Sequence, residues 1–444
     1  MSGRLLQFLD DARNRVACGA YATAHRLASN GSLAAALTRS DAVIAELKPR
    51  TPSEGRILNT SPAAVLEDYA AGGAAAISVL TDSDHFDGSL DLLAAAHATG
   101  LPTLMKDFIV DTRQLDVAVA CGASAVLLIE RCLEDRESLV AAAHERGLEV
   151  LLEVHGMEEA RHVLDSAAEL IGVNTRDLDT LQVDVDGARD VIRFLAEAGK
   201  TVVALSGIQH RDDVQRARGD GAQAVLVGTH LVRHPDRVTA LRALRRPVAK
   251  VCGITDDAGL DAAIQAGADL AGFIVGAPDS PRAIGSLRAQ QLAVRAQKAG
   301  LSTVLVTPHE DAWEVREWCR VVKPNWVQLH RLRPDAEWIH SLKAIPTHVL
   351  FAVGPEELLP EGDGYVLDAP TPGSGEAHDW QAAQDRMPRT FTLIAGGLAA
   401  DNAAQAVATS GAWGADASSR LESDPGIKDP AKVAAFVRAV QEAR

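Results

Sequence analysis

The stretch SAVLLIERCLEDRESLVAAAHERGLEVLLEV, residues 124–154, shows the unit from which the fold can be predicted. Two short runs, 124–129 and 149–154, consist mainly of Val, Leu and Ile, and the segment between them mixes Ala and Leu with Asp, Glu and Arg. Short apolar runs are typical of buried strands, and the amphipathic segment is typical of a helix. The stretch therefore predicts a strand–helix–strand unit with parallel strands.

Apolar runs of the same kind recur through the first half of the chain, separated by Ala-rich amphipathic segments. The runs occupy residues 42–47, 75–80, 102–108, 124–129, 149–154, 170–175, 201–207 and 224–229. Eight strands that alternate with helices predict a closed parallel (β/α)8 barrel.

The pattern restarts after the basic, proline-containing stretch LRALRRPV at residues 241–248. Eight further runs occupy residues 248–253, 270–275, 302–307, 326–330, 347–353, 364–369, 390–396 and 414–419. One such barrel takes about 200 to 250 residues, and the chain has 444. We predict an α/β protein of two tandem (β/α)8 TIM barrels, residues 1–245 and 246–444. The alternative, one large doubly wound sheet, is disfavoured because the count of eight occurs twice.

The composition excludes several classes of protein. Apolar residues make up 47% and charged residues 23% of the chain, values that are ordinary for a globular protein and exclude a disordered or fibrous one. The formal net charge of −16 has the wrong sign for a protein that covers nucleic acid phosphates or an anionic membrane. A pocket for a small phosphate ester remains compatible with this charge, because net charge does not decide the chemistry of a site.

The chain shows no sign of secretion or of a cysteine framework. Its opening, MSGRLLQFLDDARNR, has acidic residues where a signal peptide has a basic start and an apolar core, and no later stretch reaches about 18 uninterrupted apolar residues. We therefore expect a soluble cytoplasmic protein without a membrane partner. The scattered cysteines form no CxxC motif and favour neither disulfides nor zinc, so most are expected to be buried: Cys18, Cys121, Cys132, Cys252 and Cys319.

Polar residues stand at the carboxyl ends of the predicted strands, where a parallel barrel places its chemistry. In the first half they are Glu46, Lys48, Lys106, Glu153, Asn174, Arg176, Ser206, Gly207, Gly228 and Thr229. Any one of them alone is compatible with a solvated rim, but residues at the same end of successive strands surround one cavity. The lysines and carboxylates provide acids and bases for carbonyl and carboxylate chemistry. The glycines and the hydroxyls after strands seven and eight favour a phosphate ester as ligand.

The second half carries a smaller set of polar residues. Cys252 ends its first strand and Asp368 its sixth, and a thiol and a carboxyl across a barrel mouth can exchange protons with a substrate between them. Arg282 lies in the loop after the second strand. Each also has a structural interpretation, since a lone Cys is often a packing residue and an Asp before PTPGSG can begin a turn. Backbone and hydroxyl groups suited to an anion follow the last three strands at Gly375, Gly396, Gly397 and Ser418.

The motifs around these residues resemble two protein families. The first half is similar to the indole-3-glycerol-phosphate synthases through IAELKPRTPSEG, SVLTD, LMKDFIVD, VLLIE, LLEVH, VNTRDL and LVGTHL. The second half is similar to the phosphoribosylanthranilate isomerases through KVCGIT, AGFI with SPR, VQLH, VLDA with GSG and DW, IAGGL, and SSRLESDPGIKD. In tandem, the two sets resemble the fused bifunctional tryptophan-pathway enzymes of bacteria.

The resemblance implies two consecutive reactions, neither of which needs a metal or an organic cofactor. The isomerase half would carry out an Amadori rearrangement of N-(5-phosphoribosyl)anthranilate, with Cys252 as general base, Asp368 as general acid and Arg282 near the anthranilate carboxylate. The synthase half would then close, decarboxylate and dehydrate the resulting carboxyphenylamino-deoxyribulose phosphate. Its implied roles are Lys106 as general acid, Glu153 as general base, Lys48 as partner of the substrate carboxylate, Glu46 as its neighbour in proton transfer, and Asn174 as an orienting group. Thr51, Ser53 and Asp416 are further predicted substrate-binding residues.

Some residues depart from the family patterns. Leu205 stands where the synthases have a Glu before Ser-Gly, so one active-site carboxylate is missing. Losing a carboxylate that does acid–base work costs roughly 10²- to 10⁴-fold in rate. Smaller departures are Thr51 for Ser, Thr175 for Asn, Arg331 for Gly, Pro308 and His309 in an altered third-strand loop, and His378 for an aromatic residue.

The main hypothesis is a bifunctional enzyme that acts, as a monomer, on small phosphorylated anthranilate–sugar substrates. A first alternative is that Leu205 marks a synthase half that has lost or changed its reaction, which leaves only the isomerase. A second alternative is a non-catalytic phosphosugar-binding paralogue. The retained Lys106, Glu153, Cys252 and Asp368 argue against the second alternative, because binding alone does not require them.

Overall fold

The structure is a computed structural model that describes residues 3–176, 185–308, 310–330, 338, 347–354, 357–360, 362–369, 380–388 and 390–443. The chain divides into two compact units, Met1–Leu241 and Arg242–Arg444. Each unit contains a closed barrel of eight parallel strands. The predicted fold of two tandem barrels is therefore confirmed, all sixteen predicted strands are present, and the alternative of one doubly wound sheet is wrong.

The first barrel follows chain order around its sheet, and its first strand pairs with both the second and the eighth, which closes it. Its strands are β1 (Val43–Leu47), β2 (Ala76–Leu80), β3 (Thr103–Lys106), β4 (Ala125–Ile129), β5 (Glu149–Val154), β6 (Leu170–Asn174), β7 (Thr201–Leu205) and β8 (Ala224–Val227). The α-helices of this unit are Gly3–Ala17, Leu33–Ala36, Pro62–Gly72, Ser83–Phe86, Leu90–His97, Thr112–Ala120, Arg136–Glu145, Met157–His162, Val185–Glu197, Arg211–Gly219 and Thr229–Arg233, and a 3-10 helix covers Glu130–Cys132. Two short strands, Arg50–Thr51 and Gly55–Arg56, form a hairpin after β1.

The strand register determines which side chains face the inside of the first barrel. Glu46 lies opposite Ser78 and Asn174 lies opposite Leu205, so the members of each pair share a face of the sheet. This face is the inner one, because Glu46 on β1 reaches Lys106 on β3. Below the mouth, the interior is closed by small and branched side chains, among them Ile44, Ala76, Leu104, Leu127, Leu151, Leu170, Val203, Ala224 and Leu226.

The second barrel is closed in the same way, with its first strand paired to its second and its eighth. Its strands are β9 (Val248–Val251), β10 (Leu270–Ile274), β11 (Ser302–Thr307), β12 (Trp326–His330), β13 (His348–Val353), β14 (Gly364–Leu367), β15 (Phe391–Ile394) and β16 (Gly414–Ala417). Its α-helices are Asp257–Gln265, Ser286–Lys298, Ala312–Val322, Trp380–Gln384, Ala403–Ser410 and Pro430–Gln441, and a 3-10 helix covers Ser419–Leu421. A helix Arg237–Arg245 spans the point at which the two units divide, and a hairpin of Glu422–Asp424 with Ile427–Lys428 follows β16.

Aromatic side chains help to fill the inside of the second barrel. Trp326 and Phe391, which come from different strands, stack with their ring centroids 5.4 Å apart. Outside the sheet, the strands pack against the helices through a continuous layer of apolar residues that includes Val251, Phe273 and Phe436. Both faces of the parallel sheet are therefore covered, as its long apolar runs require.

Glycines after the ends of two helices turn the chain towards the next strand. Gly122 and Gly267, in the CGA and AGA motifs, have φ angles of 77° and 72° and follow the ends of helices, so each supplies the left-handed residue that turns the chain into the next strand. Three of the five cysteines are buried. Among the described residues, every helix is too short or too polar to span a membrane.

Candidate active sites

Glu46 forms the centre of the site in the first barrel. It is buried on β1, and Lys48 Nζ lies 3.0 Å from its Oε1 while Lys106 Nζ lies 2.9 Å from its Oε2. Burial tends to raise the pKa of Glu46, but the charges of Lys106 and Lys48 outweigh burial and lower that pKa to about 2. Burial also tends to lower the pKa of Lys106, but Glu46 and Glu153 outweigh it and raise it. Lys106 therefore holds a proton at neutral pH that it can donate.

Glu153 and Asn174 form a second pair on neighbouring strands. Both are buried, and Asn174 Nδ2 donates a hydrogen bond of 3.0 Å to Glu153 Oε1. The Arg176 backbone N–H donates to Asn174 Oδ1 at 3.0 Å, which fixes the amide of Asn174. His155 Nε2 lies 2.8 Å from the carbonyl oxygen of Arg176 and supports the same turn. The amide thus orients a carboxylate that faces the same cavity as Lys106.

The loops after β7 and β8 have the backbone geometry of a ligand site. Ser206 and Gly207 have φ angles of 64° and 73°, and this left-handed region is uncommon for Ser. Such backbone strain concentrates where loops hold ligands. A Cβ atom on Gly228 would lie 2.4 Å from Glu46 Oε1, so a larger residue there would displace the lysine-bound carboxylate. Thr229 begins the next helix directly after Gly228, so of the predicted phosphate-binding residues Gly228 lies beside the acid–base group.

The loop after β1 carries the remaining predicted binding residues of the first barrel. Thr51 is buried, and its Oγ1 accepts a hydrogen bond of 3.1 Å from the backbone N–H of Glu54. Ser53 is exposed at the tip of the same hairpin. Glu54 forms a close ion pair with Arg233, at the end of the helix that Thr229 begins. The ion pair ties the β1 loop to the loop after β8.

Leu205, the departure at the seventh strand, faces the barrel interior next to Asn174. Its side chain is fully buried and belongs to the apolar interior. A Cβ atom on Gly172 would lie 2.7 Å from Leu205 Cδ1, so Leu205 occupies the space that the glycine leaves. The seventh strand therefore presents an apolar wall to the cavity, where the resemblance implied a carboxylate.

Sequence reasoning missed a network that joins the N-terminal helix to this mouth. Arg15 is nearly buried, with Nη2 2.7 Å from Asp82 Oδ2 and 3.4 Å from Asp107 Oδ1. Tyr21 and Thr81 donate hydrogen bonds to Asp107 Oδ2, at 3.1 and 2.6 Å. Burial raises the pKa of Asp107 to about 6. The acidic residues could have been noticed, because Asp107 directly follows β3 and Asp82 lies two residues after β2, but their basic partner lies far away in sequence.

Cys252 lies at the mouth of the second barrel, just after β9. It is buried, and a Cβ atom on Gly272 of β10 would lie 2.9 Å from its Sγ. Lys250, two residues earlier, is fully buried, and its Nζ lies 2.7 Å from Oδ2 of Asp416. Burial raises the pKa of the Cys252 thiol, although the positive charges of Lys250 and Lys428 act in the opposite direction. Sequence reasoning did not single out Lys250, although KVCG places it on the same strand face as the thiol.

Arg282 is held in a fixed orientation beside Cys252. Its Nε and Nη2 donate hydrogen bonds of 2.8 and 2.9 Å to the two oxygens of Glu422. Lys428 Nζ donates to Glu422 Oε1 at 2.7 Å. A Cβ atom on Gly253 would lie 2.9 Å from Arg282 Cδ. The aliphatic part of the Arg282 side chain therefore packs against Gly253, the residue after Cys252. Glu422 and Lys428 were not foreseen, since their hairpin lies 140 residues or more beyond Arg282.

Asp368 and the predicted anion-binding groups lie at the same mouth. Asp368 follows β14, which stands three strands from β9 around the closed barrel, and its Oδ1 accepts a 2.8 Å hydrogen bond from the Ala369 N–H. Gly396 and Gly397, after β15, have φ angles of 91° and 59°. In the described part of the chain, Ser418 Oγ is buried without a hydrogen-bond partner, so its hydroxyl is available to a ligand.

A few predicted positions lie outside the described residues: Gly375, His309, Arg331 and His378. Of the other departures, Pro308 is exposed, and Thr175 Oγ1 donates to the carbonyl oxygen of Leu205 at 3.3 Å. Within the described ranges, His, Cys, Asp and Glu side chains nowhere form a group of three that could hold a metal ion.

Comparison with protein families assigns each barrel. The family model described as indole-3-glycerol phosphate synthase matches residues 9–244. The model described as N-(5'-phosphoribosyl)anthranilate (PRA) isomerase matches residues 249–439. The predicted resemblance and both predicted enzyme activities are confirmed, and neither the isomerase-only nor the binding-only alternative is supported.

Known proteins show the same tandem order. The tryptophan biosynthesis protein TrpCF of Yersinia pestis is 36% identical over 410 residues, which cover 90% of this chain and 84% of that protein. The indole-3-glycerol phosphate synthase of Carboxydothermus hydrogenoformans is 41% identical over 222 residues, 48% of this chain and 84% of that protein. The crystal structure of TrpF from Jonesia denitrificans is 35% identical in sequence, with a TM-score of 0.39. The match covers 44% of this chain and 96% of the TrpF chain. The chain therefore belongs to the bifunctional tryptophan biosynthesis enzymes, with an indole-3-glycerol phosphate synthase domain followed by a PRA isomerase domain, and its substrates are phosphorylated intermediates of that synthesis.

Proposed function

We propose that the second barrel isomerises N-(5-phosphoribosyl)anthranilate and that the first barrel converts the product, carboxyphenylamino-deoxyribulose phosphate, into indole-3-glycerol phosphate. The observation that carries this proposal is that each barrel gathers its own acid–base residues at the carboxyl ends of its own strands. In the first barrel these are Lys106 and Glu46 with Glu153. In the second they are Cys252 and Asp368.

In the isomerase, Asp368 acts as general acid and Cys252 as general base. Asp368 gives a proton to the ring oxygen of the ribose as the bond between that oxygen and C1 breaks, which leaves an iminium at C1. The Cys252 thiolate then removes the proton from C2, which gives an enolamine. The enolamine takes a proton at C1 from the Cys252 thiol and its C2 hydroxyl loses a proton to solvent, which forms the ketone of the product. Arg282 holds the anthranilate carboxylate, since its guanidinium is already oriented by Glu422.

In the synthase, Lys106 acts as general acid on the ketone. The ring carbon that bears the carboxylate attacks the ketone carbon, and the ketone oxygen takes the proton of Lys106. Carbon dioxide then leaves. Lys106, reprotonated from solvent, gives a proton to the new hydroxyl, which departs as water as Glu153 takes a proton from the neighbouring carbon. Lys48 binds the substrate carboxylate before it is lost, Glu46 pairs with both lysines, and Asn174 orients Glu153.

The phosphate of each substrate binds where backbone N–H groups and hydroxyls face the mouth. In the synthase these are supplied by Ser206, Gly207, Gly228 and Thr229, with Thr51, Ser53 and Arg176 completing the site. In the isomerase, Gly396, Gly397 and Ser418 serve the same purpose, together with Gly375. Asp416 supports the substrate site through its ion pair with Lys250. The left-handed backbone at Ser206 and Gly396 supports this assignment.

Three further features of the chain belong to the same proposal. The domain boundary lies between Arg245 and Arg246, since the helix Arg237–Arg245 ends there and β9 begins at Val248. The chain acts as a monomer, because each barrel contains its own acid–base set. It does not act on nucleic acid, in keeping with its net charge of −16.

The test is to supply the purified chain with each substrate separately. Phosphoribosylanthranilate is expected to be consumed with the appearance of indole-3-glycerol phosphate, and synthetic carboxyphenylamino-deoxyribulose phosphate to give the same product. Fluorescence and absorbance distinguish the anthranilate and indole rings. A chain that turns over neither compound would rule out the proposal.

Leu205 provides a second test, because the synthase proposal requires turnover without a carboxylate at this position. We expect Leu205→Glu to change synthase kcat/KM by less than about tenfold, since Glu46, Lys106 and Glu153 already supply the acid–base groups. Leu205→Met, which conserves volume, is the control for packing. A gain of about 100-fold or more in Leu205→Glu alone would show that the missing carboxylate limits the wild-type reaction.

A further inference from the structure

The interior of the second barrel contains a buried cation that the proposed reaction does not use. Lys250 is on β9 and is completely inaccessible to solvent. Its Nζ lies 2.7 Å from Oδ2 of Asp416, which sits opposite it in register on β16. A buried lysine is costly unless its charge is needed or compensated. Any role of the Lys250–Asp416 ion pair in the reaction therefore depends on where it lies relative to the reacting groups.

The ion pair lies directly below the thiol of Cys252. Lys250 and Cys252 are two residues apart on one strand, so both side chains face the inside of the barrel. The positive charge of Lys250 lowers the pKa of the Cys252 thiol, against the effect of burial. From the other side, Gly272 on β10 packs against Sγ and brings no charge. The sulfur thus has a cation beneath it on the same strand and the uncharged backbone of Gly272 beside it.

Two more charged groups face the thiol from other elements. Asp416 comes from β16, and its negative charge disfavours a thiolate, while Lys428 comes from the hairpin after β16 and favours one. The Nζ of Lys428 already donates hydrogen bonds to Glu422 Oε1, at 2.7 Å, and to the Ser418 carbonyl oxygen, at 3.1 Å. Arg282 packs against Gly253, directly after Cys252, but its guanidinium is paired with Glu422. Lys250 is therefore the cation whose charge acts most strongly on the thiol, and it is anchored by the carboxylate of Asp416.

We propose that Lys250 is a positioning residue for the isomerase, whose buried ammonium, anchored by Asp416, stabilises the thiolate form of Cys252. This inference rests on the proposed role of Cys252 as general base. Burial raises the pKa of the Cys252 thiol and so disfavours its thiolate. When the thiol ionises, Lys250 supplies the opposite charge that the low-dielectric interior otherwise lacks.

The test is the pH dependence of Cys252 alkylation in the full chain, compared between wild type and Lys250→Met. Iodoacetamide reacts with the thiolate, and mass spectrometry of the Cys252 peptide separates this thiol from the other four. We expect Lys250→Met to move the alkylation profile at least one pH unit to the alkaline side. A shift of one unit lowers the thiolate fraction at neutral pH about tenfold, so isomerase kcat/KM is expected to fall about 10- to 100-fold. Synthase activity of the same chain is expected to stay at the wild-type level.

Two further variants keep the test decisive. Lys250→Met with Asp416→Asn removes both charges, so that no carboxylate is left buried alone, and it is expected to show the same alkaline shift. Lys298→Met makes the same substitution at an exposed position of the same barrel and is expected to leave both the profile and the activities unchanged. An unshifted alkylation profile in the folded double variant would overturn the proposal, even if isomerase activity fell.

The role of Cys252 itself is tested separately by the same reagent. Alkylation of Cys252 in the wild-type chain is expected to abolish isomerase turnover while synthase turnover continues. If the alkylated chain still isomerises its substrate, the proposed general base is wrong. The alkylation profile of Lys250→Met is measured without substrate. It therefore still reports whether Lys250 lowers the pKa of the Cys252 thiol.

Discussion

Replacing Lys106 with methionine is expected to lower synthase kcat by about 10³-fold or more and to leave isomerase turnover unchanged. Lys106 is the proton donor to the ketone in the proposed mechanism, and methionine has a similar length but no proton to give. Its ammonium also lies 2.9 Å from Glu46, so the substitution removes one of the two cations that hold this carboxylate. Steady-state formation of indole-3-glycerol phosphate from synthetic carboxyphenylamino-deoxyribulose phosphate measures the loss.

The matched control is Lys48→Met, which removes the other cation from the same carboxylate. Because Lys48 is proposed to bind the substrate carboxylate, its loss is expected to raise KM more than it lowers kcat. Both variants keep one lysine on Glu46, so their folding should be affected to a similar degree. Equal losses of kcat in the two variants would contradict the assignment of Lys106 as the acid.

The second large effect is expected at Cys252. Cys252→Ser is expected to lower isomerase kcat by about 10³-fold, because a serine hydroxyl ionises far less readily than a thiol and cannot take the C2 proton at neutral pH. The substitution is nearly isosteric and conserves the packing against Gly272, which approaches Sγ closely. Conversion of phosphoribosylanthranilate, followed by loss of its fluorescence, measures the effect.

Asp368→Asn is the companion variant for the opposite side of the isomerase mouth. It keeps the shape and the ability to accept a hydrogen bond from the Ala369 N–H, 2.8 Å from Oδ1, but removes the acidic proton. We expect a loss of about 10²- to 10⁴-fold in isomerase kcat. In both variants, synthase activity on its own substrate is the control for an intact chain, and wild-type isomerase rates in Cys252→Ser would refute the proposed base.

The strand pattern and the strand-end residues were predictable because both are local properties of the sequence. A parallel barrel brings the carboxyl ends of its strands together, so Glu46, Lys106 and Glu153 could be placed at one mouth from their positions alone. The structure adds what the pattern does not contain, namely that Glu46 takes one lysine on each oxygen. That arrangement depends on where two side chains reach across the barrel and not on strand periodicity.

The partners that lie far apart in sequence could not be predicted. Arg15 reaches Asp107 from a helix that precedes the barrel, and Arg282 is oriented by Glu422, 140 residues later. Lys250 was overlooked for a different reason, since a lysine in an apolar strand gives no sign of whether it faces a carboxylate or solvent. Its pairing with Asp416 follows only from closure of the barrel, which places the first strand beside the eighth.

The central claim is that the chain holds two separate acid–base sites, each sufficient for one reaction. Mixing Lys106→Met chains with Cys252→Ser chains tests it most directly, because each variant lacks the group that the other retains. Neither variant alone is expected to convert phosphoribosylanthranilate into indole-3-glycerol phosphate at a substantial rate, whereas the mixture is expected to do so at a rate within about tenfold of wild type. If the mixture forms no indole-3-glycerol phosphate although each variant turns over the substrate of its intact site, the two sites are not independent and the account is contradicted.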